Sequence, residues 1–133
     1  AADGPAGRRV DLRTIDPWEF EGLVARLVEA MGYVVSETPR SGDGGVDLYV
    51  ESNDPIVGGR VVVSVKRFSG QVGPDHVRAL ESVVRQQGAI KGILITTSNF
   101  GPASYSIIQN KPLQLVDGEQ LRSWLQSYLQ IAT

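Results

Sequence analysis

The chain has 133 residues, of which 41% are hydrophobic and 21% charged, and these proportions suit one compact domain with a single core. A formal net charge of -2 excludes a uniformly cationic nucleic-acid wrapper, although a local basic face remains compatible with DNA binding. The sequence contains no cysteine, which excludes disulfides and thiolate metal sites.

The opening segment, AADGPAGRR, is rich in small residues, proline and glycine. This composition is typical of a flexible linker, so we predict a linker over residues 1–15 and a folded domain over residues 16–133, cut from a longer chain. The sequence shows neither a signal peptide nor an apolar run of about 18 residues, and a cytoplasmic location is therefore the expectation.

The first helix is predicted to begin at Asp16 and Pro17, because aspartate can cap a helix and proline suits the first helical position. Glu19 stands three residues after the cap, which strengthens this prediction. Gly32 is expected to end the helix. Between these limits runs an apolar stripe at helical spacing, made of Phe20, Leu23, Val24, Leu27, Val28 and Met31.

Three strand patterns follow the helix, and loops with the sequences RSGDGG and NDPIVGG connect them. GYVVSETP is a short strand ended by Pro39, VDLYVES alternates polar and apolar residues, and RVVVSVK is rich in valine. Alternation along the third strand puts Ser64 and Lys66 on one face with Val62, and the odd-numbered valines on the other.

The second half of the chain alternates helices and strands. Pro74 opens a helix, GILITT is an apolar strand expected to be buried on both faces, and residues 103–109 form a short helix. LQLV is a further strand, and a closing helix runs from Asp117 to Leu129. The predicted order is α-β-β-β-α-β-α-β-α, which indicates an α/β fold with a mixed sheet flanked by helices.

Polar residues on two neighbouring strands point to a reaction centre. If VDLYVES and RVVVSVK pair as a hairpin, Asp47 lies beside the face that carries Ser64 and Lys66. Glu21, at the edge of the first helix's apolar stripe, can face the same cleft. Two carboxylates and a lysine suit a hard divalent cation such as Mg²⁺. Such a cation generates hydroxide and the lysine offsets developing charge, which is what phosphodiester hydrolysis needs.

Several sequence blocks, in order, resemble the Mrr-type catalytic domain of type IV restriction endonucleases, which belongs to the PD-(D/E)xK nuclease superfamily. The blocks are FEGLVARLVEAMGY, SGDGGVDLYV, VSVKRF, QVGPDHVRAL, GAIKGILITTSNF and LVDGEQL. The resemblance covers roughly Asp16 to Leu125. It implies a restriction-endonuclease-like fold and a Mg²⁺-dependent endodeoxyribonuclease, with Mn²⁺ as a substitute. The implied partner is double-stranded DNA, often methylated, read by a separate recognition domain and cut on both strands by a homodimer.

Compared residue by residue, the resemblance matches the family's helix-one acid to Glu21, its metal-binding aspartate to Asp47 and its lysine to Lys66. The family usually has glutamine or glutamate two residues before that lysine, whereas this chain has Ser64. A serine hydroxyl is a shorter and poorer ligand. The metal would therefore depend on Asp47, Glu21, water and the carbonyl of Val65.

Ser64 leaves two alternative functions open beside the restriction nuclease. The first is a catalytically impaired nuclease-fold module that binds DNA or a protein partner without cleaving. The second is a repair or junction-resolving nuclease on the same fold. Loss of the usual ligand favours the impaired module, and the intact pair of Asp47 and Lys66 favours an enzyme.

Residues around this centre are candidates for contacts with the DNA backbone. For Ser98, capping of the following helix is an equal alternative, while Asp43 is interpreted as a turn residue and His76 as a surface residue. The candidate DNA contacts are Arg67, Arg78, Ser98 and Asn99. The cations that fall in the middle of the chain and are expected to share one basic face are Arg40, Arg60, Lys66, Arg67, Arg78 and Arg85.

Overall fold

A computed structural model describes residues 8–37, 46–52, 54–56 and 58–133, with the backbone alone at positions 8, 37, 46 and 47. Within these residues, no helix combines the length and apolar character needed to cross a membrane. The elements in chain order are β1 (Arg8–Arg9), α1 (Pro17–Ala30), β2 (Tyr33–Glu37), β3 (Val46–Ser52), β4 (Arg60–Lys66), α2 (Pro74–Gln86), β5 (Lys91–Thr96), α3 (Pro102–Ile107), β6 (Leu113–Val116), α4 (Gly118–Leu129) and β7 (Ile131–Ala132).

The main sheet has five strands in the order β2-β3-β4-β5-β6. β2 is antiparallel to β3 and β3 is antiparallel to β4, whereas β4, β5 and β6 run parallel to one another. β2 and β6 are therefore the edge strands. The predicted mixed sheet is confirmed, as is the predicted order of elements along the chain from α1 to α4.

Helices cover both faces of the sheet, which explains why β4 is so apolar. The odd-numbered valines of β4 pack in a core cluster with residues of α1 and α4, whereas Val62 packs in a second cluster with residues of α2. Every residue of β4 from Val61 to Lys66 is buried. The predicted alternation is therefore correct, and the polar face of β4 is the one beneath α2.

α1 begins and ends where the sequence signals predict. The Asp16 carboxylate accepts a hydrogen bond from the backbone N–H of Trp18 at 2.7 Å, which satisfies a donor that the helix itself leaves free. Gly32, just past the end, has a φ of +102°, a conformation that glycine adopts without steric cost. The buried face consists of Phe20, Leu23, Val24, Leu27 and Val28.

Residues 8–15 belong to the folded domain rather than to the predicted linker. β1 pairs in parallel with β7, and the N–H of Val10 donates to the carbonyl of Ala132 at 2.8 Å. Leu12 and Ile15 are buried in the core cluster that contains α1. A two-residue strand has no readable periodicity, which is why composition alone misassigned it. Residues 1–7 of the predicted linker lie outside the described residues.

The edge strand β2 is not regularly paired. Its register against β3 shifts between Val35 and Glu37. At this irregularity, the hydroxyl of Ser36 donates to the carbonyl of Tyr49 at 2.8 Å. A side chain thus satisfies a backbone group that a regular ladder would have paired.

Candidate active site

The register between β3 and β4 carries the central part of the site. Asp47 is the direct partner of Ser64, and Val46 is the partner of Val65, at the last pair before β4 ends with Lys66. Directly opposed residues of an antiparallel pair present their side chains on the same face. The predicted hairpin is confirmed, and its backbone brings Asp47 to the face that carries Ser64 and Lys66.

Ser64 and Lys66 are both buried, each with 8% of its surface exposed. They share the face of β4 that also holds Val62, beneath α2. Lysine is rarely buried to this degree, because withdrawal of an ammonium from water is costly unless other groups compensate. A buried lysine at the carboxyl end of a central strand is therefore a strong candidate for function.

Threonines of the neighbouring strand hold the backbone around Lys66. Lys66 is paired with Thr96 of β5, and the N–H of Thr97 donates to the Lys66 carbonyl at 3.3 Å. The Thr97 hydroxyl in turn donates to the carbonyl of Phe68 at 3.1 Å. Sequence reasoning did not select either threonine. The polar run TTSN directly after the apolar residues of β5 was the signal that could have indicated them.

Ser98 and Asn99 lie in the loop that follows β5. The N–H of Ser98 donates to the Thr96 hydroxyl at 3.2 Å, and the two hydroxyls are 3.0 Å apart. Gly101 is the N-cap residue of α3, which excludes the alternative that Ser98 caps this helix. Asn99 is exposed, while its carbonyl accepts the N–H of Val72 at 2.9 Å.

Tyr105 and Asp117 lie further along the same edge, close to the carboxyl ends of β5 and β6. Asp117 caps α4 by accepting the N–H of Gln120 at 2.9 Å. Burial raises the pKa of Tyr105, and the nearby Asp117 carboxylate raises it further. The shift is away from neutral pH, where a tyrosine is already protonated, so the phenol keeps its O–H as a donor.

Glu21 reaches this end of the sheet on α1. It is half-buried and flanks the apolar stripe of that helix. α1 packs on the face of the odd-numbered valines, so Glu21 approaches from the side opposite to Ser64 and Lys66. The first turn of α1 lies at the carboxyl end of β4, since Arg67 contacts both the Ile15 carbonyl and the ring of Phe20.

The cations do not form the single basic face that the sequence predicted. Arg60 begins β4, about 20 Å from Lys66 at the strand rise of 3.3 Å per residue, and it pairs with Glu51 at 3.4 Å. Arg85 pairs with Glu81 at 3.5 Å in the C-terminal half of α2. Lys66, Arg67 and the exposed Arg78 near the start of α2 are at the other end of the sheet.

Predictions were also made for His76, Asp43 and Arg40. His76 is half-buried and packs edge-on against Phe68, with 5.1 Å between ring centroids, rather than lying free on the surface. Asp43, predicted to be a turn residue, and Arg40, predicted to belong to the basic face, lie outside the described residues.

Comparison with known families agrees with this geometry. The sequence model of a family described as restriction endonuclease, the Mrr catalytic domain, matches residues 12–125. The chain belongs to the Mrr-type restriction endonuclease catalytic family. The match begins at Leu12, a core residue, and ends at Leu125, a buried residue of α4.

Relatives of this Mrr-type domain are longer proteins. The Type IV methyl-directed restriction enzyme EcoKMrr of Escherichia coli (strain K12) is 31% identical over 117 residues, which cover 84% of this chain and 38% of that enzyme. The chain thus spans less than half of this curated relative.

Two solved structures share the fold at 20% identity. The DNA modification-dependent restriction endonuclease AspBHI has a TM-score of 0.62, with 87% of this chain and 33% of that chain covered. The MspJI restriction endonuclease in complex with a 27-mer oligonucleotide has a TM-score of 0.61, with coverages of 84% and 28%.

The potential metal ligands of the Mrr-type domain are mainly oxygen atoms. The acids and carbonyls around the β3–β4 pair supply oxygen donors, and the chain has no cysteine and a single histidine. Oxygen donors suit Mg²⁺ or Mn²⁺ rather than zinc. Among the described residues there is no cluster of three or more His, Cys, Asp or Glu. Mg²⁺ takes few protein ligands and usually retains several waters, so this oxygen donor set fits it.

Proposed function

We propose that this domain is a metal-dependent endonuclease that hydrolyses phosphodiester bonds of double-stranded DNA. The observation that carries the proposal is the pairing of Asp47 with Ser64 and the burial of Lys66 two residues further on, in a chain of the restriction endonuclease family. A bound Mg²⁺, or Mn²⁺ in its place, would generate the hydroxide nucleophile and polarise the scissile phosphate.

The residues of the chain divide this work between them. Asp47, Glu21 and the carbonyl of Val65 would hold the cation together with water, because Ser64 offers only a short hydroxyl. Lys66 positions the attacking water and offsets the charge that develops on the phosphorane. Removal of this ammonium from bulk water strengthens its electrostatic effect on the phosphate.

The DNA backbone is contacted by residues at the same end of the sheet. We assign these contacts to Arg78, Ser98 and Asn99, whereas Arg67 differs from them in its contacts with the start of α1. Since AspBHI is a modification-dependent enzyme and EcoKMrr is methyl-directed, we propose methylated or otherwise modified DNA as the substrate. We also propose a cytoplasmic restriction role, a separate recognition domain, and a homodimer for cutting both strands.

Plasmid nicking tests the proposal. Supercoiled plasmid, methylated and unmethylated, is incubated with the protein in Mg²⁺, Mn²⁺ or EDTA, beside Asp47→Asn and Lys66→Met. We expect metal-dependent nicking that both variants lose. Lys111→Met is the matched control, because Lys111 pairs with Glu81 at 3.1 Å at the opposite end of the parallel strands and should not affect cleavage.

A second candidate, the impaired module, is favoured by Ser64. It predicts no nicking in any metal, together with a mobility shift of DNA that weakens as salt is added. A branched DNA substrate in the same assay separates restriction from repair, because a junction-resolving enzyme would cut the branched molecule and leave the linear duplex intact. If the protein neither cleaves nor binds DNA, both nuclease functions are contradicted, and the impaired module is left only in its protein-binding form.

A further inference from the structure

Among the described residues, Arg67 contacts the segment that starts α1 in two ways. Its guanidinium donates a hydrogen bond to the carbonyl of Ile15. The same group lies over the ring of Phe20, with 5.8 Å between Cζ and the ring centroid. Arg67 is half-buried, and Ile15 and Phe20 are buried. These contacts are not those of a cation that projects freely toward solvent.

Arg67 lies between the buried Lys66 and the start of α1. Arg67 directly follows Lys66, yet it reaches the face of the sheet on which α1 packs, whereas Lys66 lies on the α2 face. Ile15 directly precedes the capping residue of α1, and Phe20 directly precedes Glu21. The dipeptide Lys66-Arg67 therefore links the candidate catalytic lysine to the start of α1, the helix that carries Glu21.

We infer that Arg67 is a positioning residue that fixes Glu21 relative to Lys66, rather than a residue that contacts DNA phosphate. The inference rests on the proposed function, because it assigns Glu21 to the metal site. A guanidinium is suited to this role, since its planar fork can donate to a carbonyl while its face lies over an aromatic ring. A lysine ammonium, with its flexible stem, does not reproduce that combination.

The contacts with Ile15 and Phe20 hold the guanidinium at the start of α1. A phosphate could reach only the N–H groups that these contacts leave free, and only where the held guanidinium lies. Arg78 has no such constraint, because it is exposed near the start of α2. The two arginines therefore form a matched pair, with one assigned to positioning and the other to a phosphate contact.

The test compares Arg67→Ala, Arg67→Lys and Arg78→Ala in the whole chain. Binding of Mg²⁺ alone is measured by calorimetry, and binding of a labelled duplex is measured in EDTA over a series of salt concentrations. We expect Arg67→Ala to weaken Mg²⁺ binding by about 10- to 100-fold, as loss of an outer-shell partner does, with no rescue by lysine. DNA affinity and its salt dependence should not change.

Arg78→Ala should give the opposite result. Mg²⁺ binding stays as in the wild type, while the slope of log affinity against log salt falls by about 0.9 for the lost phosphate contact. A double-mutant cycle adds an internal check. If Arg67 acts through Glu21, Arg67→Ala has little further effect on Mg²⁺ binding in a Glu21→Gln background.

Three outcomes would overturn the inference. If Arg67→Ala lowers DNA affinity and the salt slope while Mg²⁺ binding persists, Arg67 is a phosphate contact. If the variant binds Mg²⁺ and cleaves normally below its melting temperature, Arg67 serves stability alone. In both cases the wild type still cleaves DNA, so the proposed function stands. If the wild type neither binds Mg²⁺ nor cleaves, the proposed function and the inference fail together.

Discussion

Ser64 is the residue at which the sequence resemblance predicts a departure from the family's usual glutamine or glutamate. Ser64 is buried and pairs with Asp47 in the sheet. A short side chain leaves one more coordination position to water. Since Mg²⁺ releases water reluctantly and retains several waters in most sites, such a site remains usable but holds its ion less tightly.

Restoring the longer side chain is expected to tighten the metal site. Ser64→Gln adds a neutral oxygen ligand, so the Mg²⁺ concentration for half-maximal nicking should fall, with a small loss of thermal stability from overpacking. Ser82→Gln, an exposed position of α2, is the control and should leave the Mg²⁺ dependence unchanged. An unchanged Mg²⁺ dependence in Ser64→Gln would place position 64 outside the metal shell.

Strand alternation in the sequence was sufficient to predict which candidate site residues share a face of the sheet. It did not predict the tertiary contacts that hold the neighbouring backbone in place. Alternation along two strands predicted that Asp47, Ser64 and Lys66 share a face, because strand periodicity is a local property. The contacts of Thr97 and Arg67 depend on which strands and helices are neighbours. Such contacts join residues far apart in the sequence, and no local pattern encodes them.

Two glycines, one in α1 and one in β5, differ in whether the surrounding structure has space for a larger side chain. Gly22 lies on the exposed side of α1, and a Cβ there would meet no atom within 4 Å. Gly92 lies in β5 beneath α2, and a Cβ there would come within 2.6 Å of Val84 Cγ2. The same substitution should therefore have opposite effects at the two positions.

Thermal denaturation of Gly22→Ala and Gly92→Ala checks this expectation. Alanine at position 22 should stabilise the helix by about 1 kcal/mol, the usual difference between glycine and alanine in a helix interior. Alanine at position 92 should cost about 1–3 kcal/mol, because α2 must move away from the sheet. Equal melting temperatures for the two variants would contradict the close packing of α2 on β5.

The helices were predictable as elements because capping residues and apolar stripes are local signals. Asp16, Pro17 and Gly32 delimit α1 as expected. The short helix predicted at 103–109 runs from Pro102 to Ile107. β1 and β7 escaped detection because each has two residues, and their pairing joins opposite ends of the chain.

At the scale of the whole molecule, two apolar clusters of the described residues lie on the two faces of the five-stranded sheet. The larger cluster includes Leu12 and Ile15, which precede the first helix. Segments before α1 therefore contribute directly to the packing beneath α1 and α4. The stability of the domain should depend on them as much as on the central strands.

Leu12→Ala tests this dependence. The side chain is 2% exposed, so its truncation should cost about 2–5 kcal/mol, and denaturant unfolding measures the loss. Arg13→Ala is the control one residue away, because its side chain is 84% exposed and should change stability by less than about 0.5 kcal/mol. A stability loss no larger than the control's would indicate that the segment does not pack as described.

The irregular pairing at the edge of the sheet also affects how copies of the domain meet one another. A straight, regularly paired edge strand is a template on which a second copy can add its own strand and begin aggregation. The register shift near Ser36 interrupts such a template on β2, and β6 has only four residues. Neither edge of the five-stranded sheet thus offers a long continuous ladder, and this favours colloidal stability at high concentration.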